Sequence, residues 1–244
     1  MRILIVNPNT STEMTAKIEA VARAYARPDT VLEAANPAFG PRVIEGFFEE
    51  DVARHAMLET ILDRRGQYDG IVIAAFCNPG IWAAREIVSV PVIGIAEAAF
   101  HFATLLGRKF SILGHLPRLH GMMEEYARFF GFGHALASVR TIEFPVTEIG
   151  PEAEEAIVRI VKVGKQAVRE DGAEVLCLGC AGMALLDKTV ETQVGVPVLD
   201  GTVCAVKLLE GMADYGVKTS KVSTFAFPEP GKEWVGMSDL FDVL

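Results

Sequence analysis

Four cysteines stand in this 244-residue chain, at positions 77, 177, 180 and 204, and two of them have neighbours suited to thiol chemistry. Cys180 falls in Gly179-Cys180-Ala181-Gly182, directly after the apolar run Val175-Leu176-Cys177-Leu178. Small neighbours let backbone approach a ligand, and a helix start beyond the cysteine could lower the thiol pKa and supply a thiolate acid/base. Taken alone, a cysteine after an apolar strand is also a common small core residue. Cys77 lies in Phe76-Cys77-Asn78-Pro79-Gly80, at the mouth of a similar turn, where it either faces a cleft or stands as a loop thiol. Cys177 has the opposite strand parity to Cys180 and is expected in a packing layer, while Cys204 falls in the helix after Asp200-Gly201 and reads as core. Cys177-x-x-Cys180 has no second Cys/His pair at ligand spacing, so no metal site is expected.

Two further strand ends carry polar groups. His115 follows Phe110-Ser111-Ile112-Leu113-Gly114 and could act as an acid/base at neutral pH, or sit as a structural histidine. The first apolar run ends in Asn7-Pro8-Asn9-Thr10-Ser11, and Thr10 followed by Glu13 fits a Thr-x-x-Glu capping box. Backbone N–H groups at such a helix start can bind carbonyl or anionic oxygens, the bland alternative being a capped turn. Gly131-Phe132-Gly133 lacks the rest of a dinucleotide fingerprint, and neither a P-loop nor a Gly-x-Ser-x-Gly elbow occurs.

The elements that must hold these residues alternate. Short Val/Ile/Leu runs near 3–7, 31–36, 71–76, 92–96, 109–114, 139–144, 174–179 and 196–200 read as strands. Helices are expected near 12–26, 51–65, 80–89, 97–106, 117–130, 151–170, 183–193 and 201–214, with at most one short helix after Ser220. This is the order of βαβ units on parallel sheets, an α/β fold. It also repeats. Gly70-Ile71-Val72-Ile73-Ala74-Ala75 leads through a helix to Val90-Pro91-Val92, and Val175-Leu176-Cys177-Leu178-Gly179-Cys180 leads likewise to Val196-Pro197-Val198, a register that sets Ala75 opposite Cys180. Two pseudo-symmetric lobes follow, approximately 1–96 with 205–244 and 97–204, each a parallel sheet flanked by helices. The active-site cleft is expected between them, outside the carboxyl ends of the strands.

Composition bounds the partners. Lys+Arg 23 against Asp+Glu 32 gives a net charge of -9 with no basic run, which argues against nucleic acid and anionic membrane and leaves small molecules. The apolar stretch from Ile87 to Gly107 contains Pro91, Glu97 and His101 and so reads as a buried strand and helix, not a membrane span. The first apolar run is too short for a signal-peptide core, and the cysteines form no disulfide framework, so a reducing cytoplasm is expected.

The segments Arg2 to Ser11, Asn78-Pro79-Gly80, Pro91 to Ala99, Leu178 to Met183 and Val196 to Gly201 resemble the aspartate/glutamate/hydantoin racemase superfamily, in particular its hydantoin and allantoin racemase branch, across nearly the whole chain. The resemblance implies catalysis without PLP or metal, by two cysteines on opposite faces of a planar intermediate, and commonly a homo-oligomer. Cys180 matches the second of those cysteines. The first matches Ala75, with Cys77 two residues on, where Gly or Asp is expected, and His115 stands near where relatives carry hydroxyl residues. Three arrangements are open: Cys77 as the second thiol, His115 as the second acid/base, or Cys180 alone. The last resembles the arylmalonate decarboxylase and maleate isomerase branches. Backbone at Asn9, Thr10, Ser11, Ala181 and Gly182, with Asn78, supplies the substrate-binding candidates, because a developing enolate needs preorganised donors. The function expected is a cofactor-independent racemase or epimerase of a small hydantoin- or allantoin-like compound. A non-catalytic binding protein is the reading from another class.

Overall fold

A computed structural model describes residues 1–145, 148–149, 153–232 and 234–235. Eight strands form two four-stranded, wholly parallel sheets. The first holds β1 (Arg2–Val6), β2 (Val31–Ala35), β3 (Gly70–Ile73) and β4 (Val92–Gly94) in the order β2-β1-β3-β4; the second holds β5 (Phe110–Gly114), β6 (Leu136–Thr141), β7 (Val175–Leu178) and β8 (Val198–Leu199) in the order β6-β5-β7-β8. The order is the same in both, and the repeat read from sequence holds at the level of single bonds. Ile71 N donates to Pro91 O at 2.9 Å, and Leu176 N donates to Pro197 O at 2.9 Å.

Around the sheets lie α1 (Thr12–Tyr25), α2 (Phe47–Asp63), α3 (Ile81–Ile87), α4 (Ile95–Leu106), α5 (His120–Phe129), α6 (Glu154–Asp171), α7 (Asp187–Val194) and α8 (Gly201–Tyr215). Each expected strand and helix is present. The largest shifts are at α2, which starts four residues early behind Gly46, and at α7, which starts at Asp187 rather than 183; β6 starts at Leu136 rather than 139. The early α2 start gains Glu49 and Glu50 in its first turn, where carboxylates meet the positive end of the helix dipole. The expected 183–193 helix instead divides into a 3-10 turn at Ala181–Met183 and α7. Residues 151 and 152 of the expected 151–170 helix lie outside the described residues, as does 236–244 of the first lobe. The tail carries one short 3-10 helix, Ser223–Phe225.

Alternation along the strands decides which core each side chain enters. Ile3 and Ile5 pack with Val72, Ala205, Val206 and Leu209 on one face of the first sheet, whereas Leu4 and Val6 pack with Met57, Ile61 and Ile73 on the other. In β7, Cys177 joins Val175, Phe100 and Phe110, while Leu176 and Leu178 face the α6 side with Ile160 and Ala167. Cys177 and Cys204 are thus core residues, as their parity and placement predict.

Helix α4 belongs to both halves, since Ile95 and Ala98 enter the first sheet's core and Ala96, Ala99, Phe100 and Ala103 enter the second's. Phe100 stacks on Phe110 of β5 at 5.0 Å and meets Phe76, just beyond β3, edge-on at 5.7 Å. Each such ring pair contributes about 1 kcal/mol beyond its buried area, so this triad locks the ends of the two sheets together. The Ile87–Gly107 stretch is β4 and α4, as read. Glu97 within it pairs with Arg85 at 2.7 Å, and among the described residues no helix is long and apolar enough to cross a membrane.

Candidate active site

The carboxyl ends of β1, β3, β5 and β7 converge on one cavity of about 70 Å³. Its walls include Asn9 after β1, Ala75 and Cys77 after β3, His115 after β5, and Cys180 with Ala181 after β7. At roughly 10–15 Å³ for each enclosed water, the space holds a handful of waters or a compact ligand. Most of the remaining wall is apolar, with Met122 and Met123 from α5 and Val43 and Ile44 from the loop before α2.

Cys180 caps the Ala181–Met183 turn, and its Sγ accepts from Gly182 N at 3.3 Å. The helix start does not lower this thiol's pKa. Burial pushes it up to about 11, the Glu45 and Asp200 carboxylates add to the rise, and the N–H groups of Gly182 and Met183 offset only part of it. A single 3-10 turn has too short a dipole to outweigh desolvation. Cys77 lies on the same cavity, and burial beside the Glu50 carboxylate pushes its thiol well above the ordinary value. Both cysteines are therefore thiols at neutral pH.

His115 is 4% exposed, and neither ring nitrogen has a hydrogen-bond partner among the described residues. Burial lowers its pKa, partly opposed by Glu45, whose Oε1 is 3.6 Å from Nε2. The ring is accordingly neutral at pH 7, with one nitrogen as donor and the other as acceptor.

The N-terminal turn is built differently from the expected capping box. Ser11, not Thr10, caps α1, with its Oγ accepting from Met14 N at 3.2 Å. Thr10 is instead tied to the loop before α2, its N and Oγ1 both donating to Pro41 O. Asn9 Oδ1 accepts from Ser11 N at 2.9 Å and from Asn7 Nδ2 at 2.9 Å, while Asn9 N donates to Asn7 Oδ1. The backbone donors of Asn9 and Ser11 that were expected to meet a ligand are thus satisfied inside the turn, that of Thr10 is taken by Pro41 O, and Gly182 N is occupied by Cys180. What the turn does offer the cavity is the Asn9 amide, whose Nδ2, among the described residues, donates only to the thioether of Met14 at 3.3 Å. A thioether is a weak acceptor, readily exchanged for a carbonyl oxygen.

Of the sequence candidates, Cys180, Cys77, His115, Asn9 and Ala181 come together on the cavity. Thr10, Ser11, Gly182 and Asn78 lie off it; Ser11 and Gly182 border a smaller neighbouring pocket with Arg42 and Glu13. Asn78 is buried beneath α4, where its Oδ1 accepts from Ala96 N at 3.4 Å. Sequence reasoning missed the wall built by Leu119, Met122, Met123 and Tyr126. Their spacing marks one helix face, but the same spacing serves an ordinary core stripe. Small residues make room for that wall, since a Cβ on Gly114 would come 2.9 Å from Met123 Sδ, and one on Gly179 would come 3.0 Å from Met123 Cε.

Two like parallel sheets whose strand ends enclose a cavity bearing two thiols define an α/β protein suited to acid/base chemistry on a small molecule. The chain belongs to the Asp/Glu/hydantoin racemase family, whose model matches residues 3–209. It is 39% identical to the hydantoin racemase of Pseudomonas sp. strain NS671 over 99% of this chain and 97% of that one. Among solved structures it is similar to the allantoin racemase of Klebsiella pneumoniae, with a TM-score of 0.93 and 40% identity over 98% of each chain. The allantoin racemase of Pseudomonas fluorescens gives 0.92 and 37%, covering 96% of this chain and all of that one.

Proposed function

We propose that this protein racemises hydantoin- or allantoin-like cyclic ureides, with Cys77 and Cys180 as its two acid/bases. The observation that carries the reading is that both thiols line one cavity, from matching turns of the two halves. One thiol, as thiolate, removes the proton from the carbon beside the ring carbonyl. The resulting enolate is planar, and the other thiol returns a proton to its opposite face, so one S–H bond forms and one breaks in each turnover. In this reading Asn9 Nδ2, on the same cavity, donates to the enolate oxygen. His115, neutral and on the same wall, is the alternative second group. The apolar side of Val43, Ile44, Met122 and Met123 suits the ring substituent.

The same reading takes 1–96 with 205–244 and 97–204 as the two lobes and the cavity as the cleft between them. It carries one refinement: Cys204 packs in the first sheet's core together with Ala205, Val206 and Leu209 of the same helix. The four free cysteines fit a reducing cytoplasm. Assembly into a homo-oligomer belongs to the reading as well, and the neighbouring exposed side chains of Leu105 and Leu106 offer apolar surface for it.

Proton exchange in D2O, followed by NMR with each enantiomer of allantoin and of a 5-substituted hydantoin, tests the function. Deuterium entry at the α-carbon with inversion is expected, lost in Cys180→Ala and in Cys77→Ser. Activity that survives Cys77→Ser moves the second role to His115 or water. No enzyme-dependent exchange with any of these compounds overturns the reading, and disubstituted malonates and maleate become the next substrates.

A further inference from the structure

Cys77 has a second face. It and Tyr126 line not only the inner cavity but also a larger outer one, of about 500 Å³, bounded by Glu50, Arg54 and Trp82. Between the two cavities the Tyr126 hydroxyl donates a hydrogen bond to Glu50 Oε2. Glu50 is 6% exposed and sits 3.4 Å from the Arg54 guanidinium, which Asp51 also holds at 3.3 Å. Glu50, Tyr126 and Cys77 thus meet at the seam of the two cavities, the buried carboxyl group bonded to a tyrosine that shares both cavities with the thiol.

We infer that Glu50 and Tyr126 form a proton relay that reloads Cys77 from the outer cavity. The inference rests on the proposed two-thiol racemase. Each turnover in one direction leaves the thiols in exchanged protonation states, so Cys77 must regain or lose a proton before the next turnover in that direction. In reloading, with Glu50 protonated, the Tyr126 hydroxyl turns from Glu50 to give its proton to the Cys77 thiolate and takes the Glu50 carboxyl proton in its place. Glu50 is then reprotonated by water in the outer cavity. Unloading runs in reverse, and no oxidant or cofactor enters. Burial raises the Glu50 pKa, against the lowering by Tyr126 and Arg54. The titratable groups that face Cys77 are Glu50, Arg54, Tyr126 and, across the inner cavity, Cys180.

Reloading follows product release, so its failure lowers kcat and leaves kcat/KM nearly unchanged. The test measures racemisation of a 5-substituted hydantoin by wild type, Tyr126→Phe, Glu50→Gln and Glu50→Ala, with and without added acetate. A fall in kcat on the order of 100-fold is expected in each variant, with acetate restoring part of it in Glu50→Ala. Equal losses in kcat and kcat/KM without rescue would show a merely structural role and overturn the relay. A second readout is independent of turnover: alkylation of Cys77 by iodoacetamide across pH, read by peptide mass spectrometry. Removing the Glu50 charge should lower the alkylation midpoint in Glu50→Gln by about one pH unit. An unmoved midpoint overturns the relay, whereas an inactive wild type with a shifted midpoint counts against the racemase reading and supports the Glu50–Cys77 coupling.

Discussion

The amide of Asn78 occupies the space that a Cβ on Gly94 would fill, and from there its Oδ1 caps the first turn of α4. In the repeat, Gly94 corresponds to Asp200, which caps α8 with its own side chain by accepting from Thr202 N at 2.7 Å and Val203 N at 3.3 Å. The two halves thus solve one problem differently, by a capping residue in the second and by a borrowed amide beside Cys77 in the first. Gly94 has φ -90, so an alanine there carries no backbone strain, and the atoms nearest its Cβ all belong to the Asn78 side chain. Gly94→Ala is expected to destabilise by about 1–3 kcal/mol. Combined with Asn78→Ala the cost should be less than the sum of the two, since removing the amide removes the clash. Urea unfolding of the double-mutant cycle checks it, and strict additivity would show that the two positions do not touch.

Because burial lifts the Cys180 pKa to about 11, the thiolate population rises roughly tenfold per pH unit below that value. For the direction in which Cys180 is the base, kcat/KM is expected to climb through pH 7 to 10. A pH–rate profile reads this directly, and a plateau below pH 8 would remove Cys180 from the role of base. Cys180→Ala should lower kcat by about 10²–10⁴-fold.

Ala75 lines the same cavity as Cys77, two residues before it. A thiol moved from 77 to 75 therefore still faces the bound molecule. Cys77→Ser is expected to abolish inversion, and Ala75→Cys in that background to restore a measurable part of it in polarimetric assays. Failure of the double variant alone, with the single variant inactive, would mean that the thiol acts only from its place in the loop.

Asp200 is buried, and burial outweighs its capping bonds enough to raise its pKa to about 6. A folded-state value above the unfolded one means that the folded protein holds the proton more tightly. This contribution to stability is present at low pH and is lost as pH rises from about 4 to 6. Asn caps as well as Asp and carries no charge to bury. Asp200→Asn is accordingly expected to match or exceed wild type in stability at pH 7, by up to roughly 1–2 kcal/mol, with the gain vanishing towards pH 4. Thermal melts at the two pH values measure it.

Much of the molecule was legible in the chain because its determinants are local. Alternating apolar runs set the strands, Pro91 and Pro197 marked the repeat, and strand parity sent Cys177 inward while leaving Cys180 at the mouth of its turn. Tertiary structure alone decided the rest. The expected cap at Thr10 failed because Pro41, 31 residues away, claims its N–H and hydroxyl. Asn78 lies off the inner cavity because its Oδ1 turns to Ala96 N of α4. The lowered Cys180 pKa became a raised one because desolvation depends on every group packed around the sulfur, and no single segment encodes that packing. The wall from α5 and the Glu50–Tyr126 pair, 76 residues apart, exist only where the two sheets and their helices close on one another. Periodicity fixes which face of each element is apolar; which faces meet, and what stands beside a thiol when they do, is settled by long-range packing.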